Sequence, residues 1–224
     1  MTRRTNSRIA GFTFLFYIAV AFPSMVLLTR ATAGETMAAK LSNLALHAAD
    51  VRLAAVLALL GCFSALVLAV TLYALTREQD PDLALLAMTC RVAEGVSGAA
   101  SIPSLLGLLA LVTTSGANAP ETVAAQALGT FALESAPLPA TFFAVGSTLF
   151  AWLFLRGRMV PVWLAWVGVL GSALTVVGLP LQLAHVLTGP VTQLMWIPVA
   201  VFEIVVAVWL LVKGAALPRA SLNH

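Results

Sequence analysis

The sequence predicts an all-α fold, a single-domain bundle of six transmembrane helices. Hydrophobic residues make up 61% of the 224 residues and charged residues only 9%, against about 25% charged residues in soluble domains. The mean hydropathy is +1.00. We interpret each of six apolar runs as a helix that crosses the roughly 30 Å hydrocarbon core of a bilayer. The runs cover residues 9–29, 53–76, 83–114, 140–155, 162–184 and 193–212.

The basic residues predict how these helices are oriented, because cytoplasmic loops of membrane proteins are enriched in lysine and arginine. With both termini in the cytoplasm, eight basic residues fall at cytoplasmic ends of spans and three at outer ends. The eight are Arg3, Arg4, Arg8, Arg77, Arg156, Arg158, Lys213 and Arg219, and the three are Arg30, Lys40 and Arg52. This placement accounts for the net charge of +3, so no nucleic-acid partner follows from it.

The first span, residues 9–29, follows a basic segment, as the core of a signal peptide does. It exceeds the ~7–15 residues of a signal core, and Arg30 stands where cleavage needs small residues. We therefore expect an uncleaved helix. In the connection that follows, residues 37–52 have Met37, Leu41, Leu44 and Ala48 on one side of a helix, which predicts a short amphipathic helix on the outer face.

The uncharged second span, residues 53–76, leads through a short loop into the third. The third begins at Asp80-Pro81, an order typical of a helix start, and contains Arg91 and Glu94 well inside its apolar run. At about 100° per residue, these two side chains share an arc with Ala87, Gly98 and Ser101. A charge in hydrocarbon costs at least ~2.5–3.5 kcal/mol, so this stripe is expected to face protein or a water-filled cavity.

Residues 122–139 mix small and apolar residues and end in two prolines, which predicts a second short surface helix on the outer side. The fourth span, residues 140–155, is nearly all apolar. The fifth, residues 162–184, begins after Pro161 and ends beside His185. The sixth, residues 193–212, has one polar residue near its middle, Glu203, about 15 Å from either boundary.

We expect Arg91, Glu94 and Glu203 to converge inside the bundle. Either Glu94 pairs with Arg91 or Arg91 bridges to Glu203, and the other acid is neutral or hydrogen-bonded to a serine or water. Glu94 and Glu203 are candidate catalytic acids. Candidate ligand-binding residues are Arg91, Ser97, Ser101, Glu134 at the outer mouth, and His185. We expect no metal site, and Cys62 and Cys90 to be buried apolar groups without a disulfide.

Three stretches carry a resemblance to a known family: TCRVAEGVSGAASIPSLLGLLAL, LRGRMVPVWLAWVGVLGSAL and FEIVVAVWLLVKG. In order and spacing, and over nearly the whole chain, the sequence resembles the bacterial membrane-protein family catalogued as domain of unknown function 4386. The resemblance implies a six-helix fold and carries no activity. It also implies that Arg91, Glu94, Glu203 and the turn from Arg158 to Pro161 are recurring features.

The sequence lacks H-E-x-x-H, C-x-x-C, a glycine-rich phosphate loop and G-x-S-x-G, so it lacks the motifs of zinc peptidases, NTPases and serine hydrolases. No cofactor is expected. Three hypotheses remain. The first is an intramembrane pocket that binds, or binds and chemically converts, a lipid, isoprenoid or quinone-like molecule. The others are a proton- or ion-coupled transporter using Glu94 and Glu203, and a structural or interaction membrane protein with no ligand. Membrane lipid is an expected partner, and the bacterial cytoplasmic membrane is the expected location.

Overall fold

The computed structural model describes residues 2–114, 119–134 and 138–217. The described residues form nine α-helices and a short 3₁₀ helix at Ala119–Glu121. The α-helices are α1 (Arg3–Ala31), α2 (Met37–Leu46), α3 (Ala48–Thr76), α4 (Pro81–Thr114), α5 (Val123–Leu133), α6 (Leu138–Gly157), α7 (Val162–Leu183), α8 (Val191–Leu194) and α9 (Ile197–Val212). The all-α fold class is confirmed.

Six helical stretches among the described residues are long and apolar enough to cross a membrane. They are Arg3–Ala31, Ala48–Thr76, Pro81–Thr114, Val123–Gly157 (α5 and α6, between which residues 135–137 are not described), Val162–Leu183 and Val191–Val212. The predicted number of spans is therefore confirmed.

The contacts divide the chain into two compact units. The first comprises Met1–Phe16, Phe63–Gly95 and Pro137–His224, and the second comprises Tyr17–Cys62 and Val96–Ala136. Each of α1, α3 and α4 contributes one segment to each unit.

In the first unit α7 packs against both α6 and α9. Small residues permit close approach, as is common between membrane helices. A Cβ added to Gly168 would lie 2.6 Å from the Phe202 ring, and one added to Gly171 would lie 3.0 Å from the Pro198 carbonyl carbon. On α1, a Cβ at Gly11 would lie 2.5 Å from the Ala207 carbonyl oxygen. Helix α9 is thus held closely by α7 and α1.

In the second unit the predicted amphipathic helix is present as α2. The Thr36 hydroxyl caps its N terminus by accepting a hydrogen bond from the Ala39 N–H at 3.2 Å. Its apolar side does not simply lie on a surface, because Leu41 and Leu44 are fully buried in a cluster with residues of α4 and α5. The apolar stripe read from the sequence therefore faces protein.

Two element boundaries differ from the prediction. The amphipathic segment was expected to continue to residue 52, whereas α2 ends at Leu46 and α3 begins at Ala48. His47 separates them with backbone angles of φ −104 and ψ 33. Helix α3 therefore begins before the predicted span and includes the charged residues Asp50 and Arg52. Charged residues can occupy a helix because its hydrogen bonds are formed by the backbone.

The sixth span is interrupted where one continuous helix was expected. Helix α8 ends at Leu194, and the Trp196 N–H donates to the Gln193 carbonyl at 3.2 Å, a tighter i→i−3 bond. Pro198 has no N–H to donate to the Leu194 carbonyl, so the α-helical ladder cannot continue there. Helix α9 starts anew at Ile197, with the proline in its first turn, where its missing N–H costs nothing.

Candidate functional site

Arg91 is the centre of a buried ionic cluster in the first unit. Its Nη1 donates to Oε2 of Glu94 at 2.7 Å, and its Nη2 donates to Oε1 of Glu203 at 3.3 Å. The exposed fractions of the three residues are 1%, 5% and 4%. The cluster therefore joins α4 to α9 with almost no access to solvent.

Helix geometry and chain topology bring these groups together in different ways. Arg91 and Glu94 are three residues apart on α4, a spacing that places two side chains on the same face. Glu203 comes from the middle of α9, as the sequence predicts. Both contacts that the sequence analysis offered as alternatives are present, because the two terminal nitrogens of the guanidinium each reach one carboxylate.

Aromatic rings enclose the guanidinium on its other sides. The Cζ atom of Arg91 lies 4.7 Å from the centroid of the Phe143 ring and 5.8 Å from that of Phe14. Both distances fall within the range of cation–π attraction, which is strongest where water is excluded. The positive charge is thus stabilised by two carboxylates and two aromatic rings.

A small cavity adjoins the cluster. Its volume is about 10 Å³, close to the minimum that holds one water molecule. Arg91, Ser147 and Glu203 contribute the polar part of its lining, and the apolar part comes from Phe14, Leu72, Phe150, Phe154 and Phe202. Three polar groups therefore converge on one point of a largely aromatic wall.

Ser147 on α6 is a residue of this site that the sequence analysis missed. It is 6% exposed, and its hydroxyl has no hydrogen-bond partner among the residues that the structure describes. The available signal was the pair of hydroxyls, Ser147 and Thr148, in the middle of the nearly all apolar fourth span. Phe143, Phe150 and Phe154 could have been found from their spacing on α6, since positions seven and eleven residues apart share one helical face.

The other candidate site residues lie elsewhere. Ser97 and Ser101 belong to the second unit, and Ser101 is exposed and donates to the Gly98 carbonyl at 2.7 Å. Glu134, in the same unit, pairs with the Lys40 ammonium at 2.7 Å. His185 is exposed just after α7, with a φ of 55. The structure places none of these four in the lining of the cavity.

Metal-binding chemistry has no assembled donor set in the part of the chain that the structure describes, because no three His, Cys, Asp or Glu side chains cluster there. Neither Cys62 nor Cys90 forms a disulfide with a described residue; Cys90 is buried, whereas Cys62 is half-buried and not fully buried as expected. The chemistry of the cluster is that of hydrogen bonding and charge: the guanidinium donates, and the carboxylates accept or exchange a proton.

These features define the chain as a polytopic integral membrane protein with an ionic cluster buried in its helices. The model of the family described as Domain of unknown function (DUF4386) matches residues 9–214. The chain belongs to this family. Neither a curated protein nor a solved structure matches it significantly.

Proposed function

We propose that the protein binds a hydrophobic small molecule, such as a lipid, an isoprenoid or a quinone-like compound, within the membrane. The polar end of the ligand would be recognised by Arg91, Glu94 and Glu203. The observation that carries this proposal is the ionic cluster that these groups form between two helices, two of whose members, Arg91 and Glu203, line a cavity with an aromatic wall. Binding sites for small molecules combine an apolar lining with a few placed polar groups in this way.

The energetics of burial support a functional role for the cluster. Removing charges from water is costly, and replacing a buried ion pair with apolar side chains of similar volume is often neutral or stabilising. In a membrane-spanning helix this cost makes an ionisable residue a functional candidate. Arg91, Glu94 and Glu203 are all ionisable residues in helices able to span a membrane, and they contact one another in one cluster.

The cavity is too small for a lipid-like ligand unless its walls move. A volume of about 10 Å³ holds a water-sized group, whereas small-molecule sites measure about 300–1,000 Å³. A lipid-like ligand therefore requires the side chains around the cavity to move. Phenylalanines supply most of the wall, and their rings can swing to other rotamers without breaking a hydrogen bond.

The test is mass spectrometry of the hydrophobic molecules that co-purify with the wild type and with Glu203→Gln. This substitution keeps the shape of the side chain and removes its charge. We expect the ligand content to fall about tenfold or more, since hydrogen bonds to charged groups contribute about 1.5–3 kcal/mol. Glu121→Gln is the matched control, because Glu121 is an exposed acid outside the cluster. Equal content in both variants would remove Glu203 from any binding role.

An enzymatic role would build on this site. A carboxyl group of Glu94 or Glu203 that carries a proton could donate it to a bound ligand as a general acid. The experiment is to compare the co-purified molecules from the wild type with those from Glu94→Gln. A chemically altered species that disappears only in the variant would support conversion of the ligand.

A second candidate function is proton-coupled transport through Glu94 and Glu203. The water-sized cavity at Glu203 favours it, because one water can relay a proton where a lipid cannot enter. The test uses proteoliposomes that contain either the wild type or Glu203→Gln and are loaded with a pH-sensitive dye. The outside is acidified, and the rate of proton entry is measured from the dye. Equal proton flux in the two samples would argue against this function.

We also propose the bacterial cytoplasmic membrane as the location, with the start of α1 on the cytoplasmic side. The excess of eight basic residues over three at the two sets of helix ends supports this orientation. Reporter fusions after Lys213 and within residues 31–36 would test it. Cytoplasmic activity of the second fusion would contradict the proposal.

A further inference from the structure

An open pocket of about 390 Å³ lies in the first unit, where α6 ends, α7 begins and α9 ends. Its lining comes from the turn between α6 and α7, including Arg158 and Met159, and from the end of α9, including Trp209 and Lys213. It shares no residue with the cavity beside Glu203. It is therefore separate from the site discussed above.

Tertiary hydrogen bonds fix the walls of this pocket. The Ala216 N–H donates to the Met159 carbonyl at 2.9 Å, which ties the segment after α9 to the turn before α7. The Arg3 guanidinium donates to the carbonyls of Ala215 and Ala216 at 3.3 and 2.7 Å. The Ala215 N–H donates to the Ser7 hydroxyl at 3.1 Å. The start of α1 therefore holds the lining in place.

The charge of the pocket is positive. Arg158 and Lys213 both line it and are exposed, and neither forms an ion pair with any described residue. Two other basic side chains near these helix ends have acidic partners: Arg3 pairs with Glu78 at 3.4 Å, and Arg156 pairs with Asp80 at 3.2 Å. The charges of Arg158 and Lys213 are thus available to an anion from outside the chain.

The remaining lining is apolar and partly aromatic. Met159 and Val160 are buried, Pro161 follows them, and the half-buried Trp209 forms part of the wall. Tryptophan is enriched where membrane helices leave the hydrocarbon. Helices α6, α7 and α9 belong to membrane-spanning stretches and meet the pocket at their ends, so it lies at the depth of lipid headgroups.

We propose that this pocket binds one anionic phospholipid. The phosphate lies between Arg158 and Lys213, and the glycerol end of the acyl chains contacts Trp209. Basic pockets between membrane helices bind acidic headgroups by this combination of charge and position. A soluble phosphate would use the same two charges and gain nothing from Trp209, so the apolar wall favours the lipid.

The test is native mass spectrometry of the whole protein with mixed phosphatidylglycerol and phosphatidylcholine. We expect the wild type to retain phosphatidylglycerol preferentially. The double variant R158Q/K213Q should lose this preference about 30-fold, which corresponds to about 1 kcal/mol for each basic residue. The charge-preserving variant R158K/K213R should retain most of it. Gel filtration of each variant establishes that it is folded.

The matched control is R4Q/R77Q, which removes two exposed charges that line no part of the pocket. A control that loses as much preference as R158Q/K213Q would overturn the proposal, because the effect would then be one of overall charge. The second arm adds millimolar inorganic phosphate. Displacement of phosphatidylglycerol by phosphate would overturn the lipid as the occupant, whereas retention supports it.

Discussion

Arg91 on α4 donates to Glu203 on α9 across 112 positions of the sequence, at 3.3 Å. The same guanidinium holds Glu94 one helical turn away at 2.7 Å. Helix α4 thus provides both the cation and one acid, and α9 provides the second acid. The contact fixes the rotation of α9 about its axis, since Glu203 has to point at α4 for the bond to form.

Replacing the cation alone should strongly destabilise the protein. In Arg91→Met, two buried carboxylates lose their partner, and breaking a buried pair from one side costs about 3–5 kcal/mol. The free energy of unfolding, measured by SDS titration in mixed micelles, should fall by that amount. The control is Arg156→Met, because the Arg156–Asp80 pair is at the surface and such pairs contribute about 0–1 kcal/mol. Equal losses in the two variants would contradict the burial of the cluster.

Replacing the whole cluster should separate stability from function. The triple variant R91M/E94L/E203L removes every charge and keeps a comparable volume, so most of the stability lost in Arg91→Met should return. The triple variant should nevertheless not retain the molecules that co-purify with the wild type because they bind at the cluster. Wild-type ligand content in a stable triple variant would indicate that the cluster has only a structural role.

One ordered water should occupy the cavity between Ser147 and Glu203. The volume fits a single molecule, and no described residue forms a hydrogen bond with the buried Ser147 hydroxyl. A high-resolution experimental map should show a density peak within about 3 Å of the Ser147 Oγ. The peak should disappear in Ser147→Ala. The same peak in that variant would mean that Ser147 does not hold the water.

The sequence was sufficient for the spans because hydrophobic runs and flanking charges directly record where helices meet lipid and water. It was also sufficient for the core of the site. Charges at mid-membrane depth are costly unless they are paired, and Arg91 forms hydrogen bonds with both Glu94 and Glu203. The sequence therefore predicts those contacts that a large desolvation cost makes necessary.

The environment of α2 and the role of Ser147 depend on tertiary packing, which the pattern of apolar and polar residues along the sequence does not reveal. The apolar stripe of α2 fits a lipid surface and a protein surface equally well, and only the packing of Leu41 and Leu44 against α4 and α5 decides between them. Ser147 acquires its role from the neighbours of α6. The break before α9 could have been predicted from Pro198, because a proline inside a helix removes one backbone hydrogen bond.

The packing of α2 can be tested with two leucines of the same helix. Leu41 is fully buried and Leu46 is 79% exposed. Leu41→Ala should lower the free energy of unfolding by about 2–5 kcal/mol, as for other buried leucines. Leu46→Ala should change it by less than about 0.5 kcal/mol. If the two variants lost the same stability, α2 would be held by lipid and not by the protein cluster.

Two glycines should respond in opposite directions to the same substitution. Alanine is favoured over glycine inside a helix by about 0.8–1.0 kcal/mol, so the change is stabilising wherever its methyl group has room. At Gly107 on α4 nothing lies within 4 Å of an added Cβ, and Gly107→Ala should raise the melting temperature. At Gly11 the methyl would lie 2.5 Å from the Ala207 carbonyl oxygen and 2.9 Å from the Leu211 nitrogen.

Both contacts at Gly11 are to the backbone of α9, which no change of rotamer can relieve. Gly11→Ala should therefore push α1 away from α9 and cost about 1–3 kcal/mol, the usual range for overpacking. Because α9 also carries Glu203, the displacement should reduce the content of co-purified ligand as well as the melting temperature. A Gly11→Ala variant as stable as Gly107→Ala would show that α1 and α9 do not approach each other this closely.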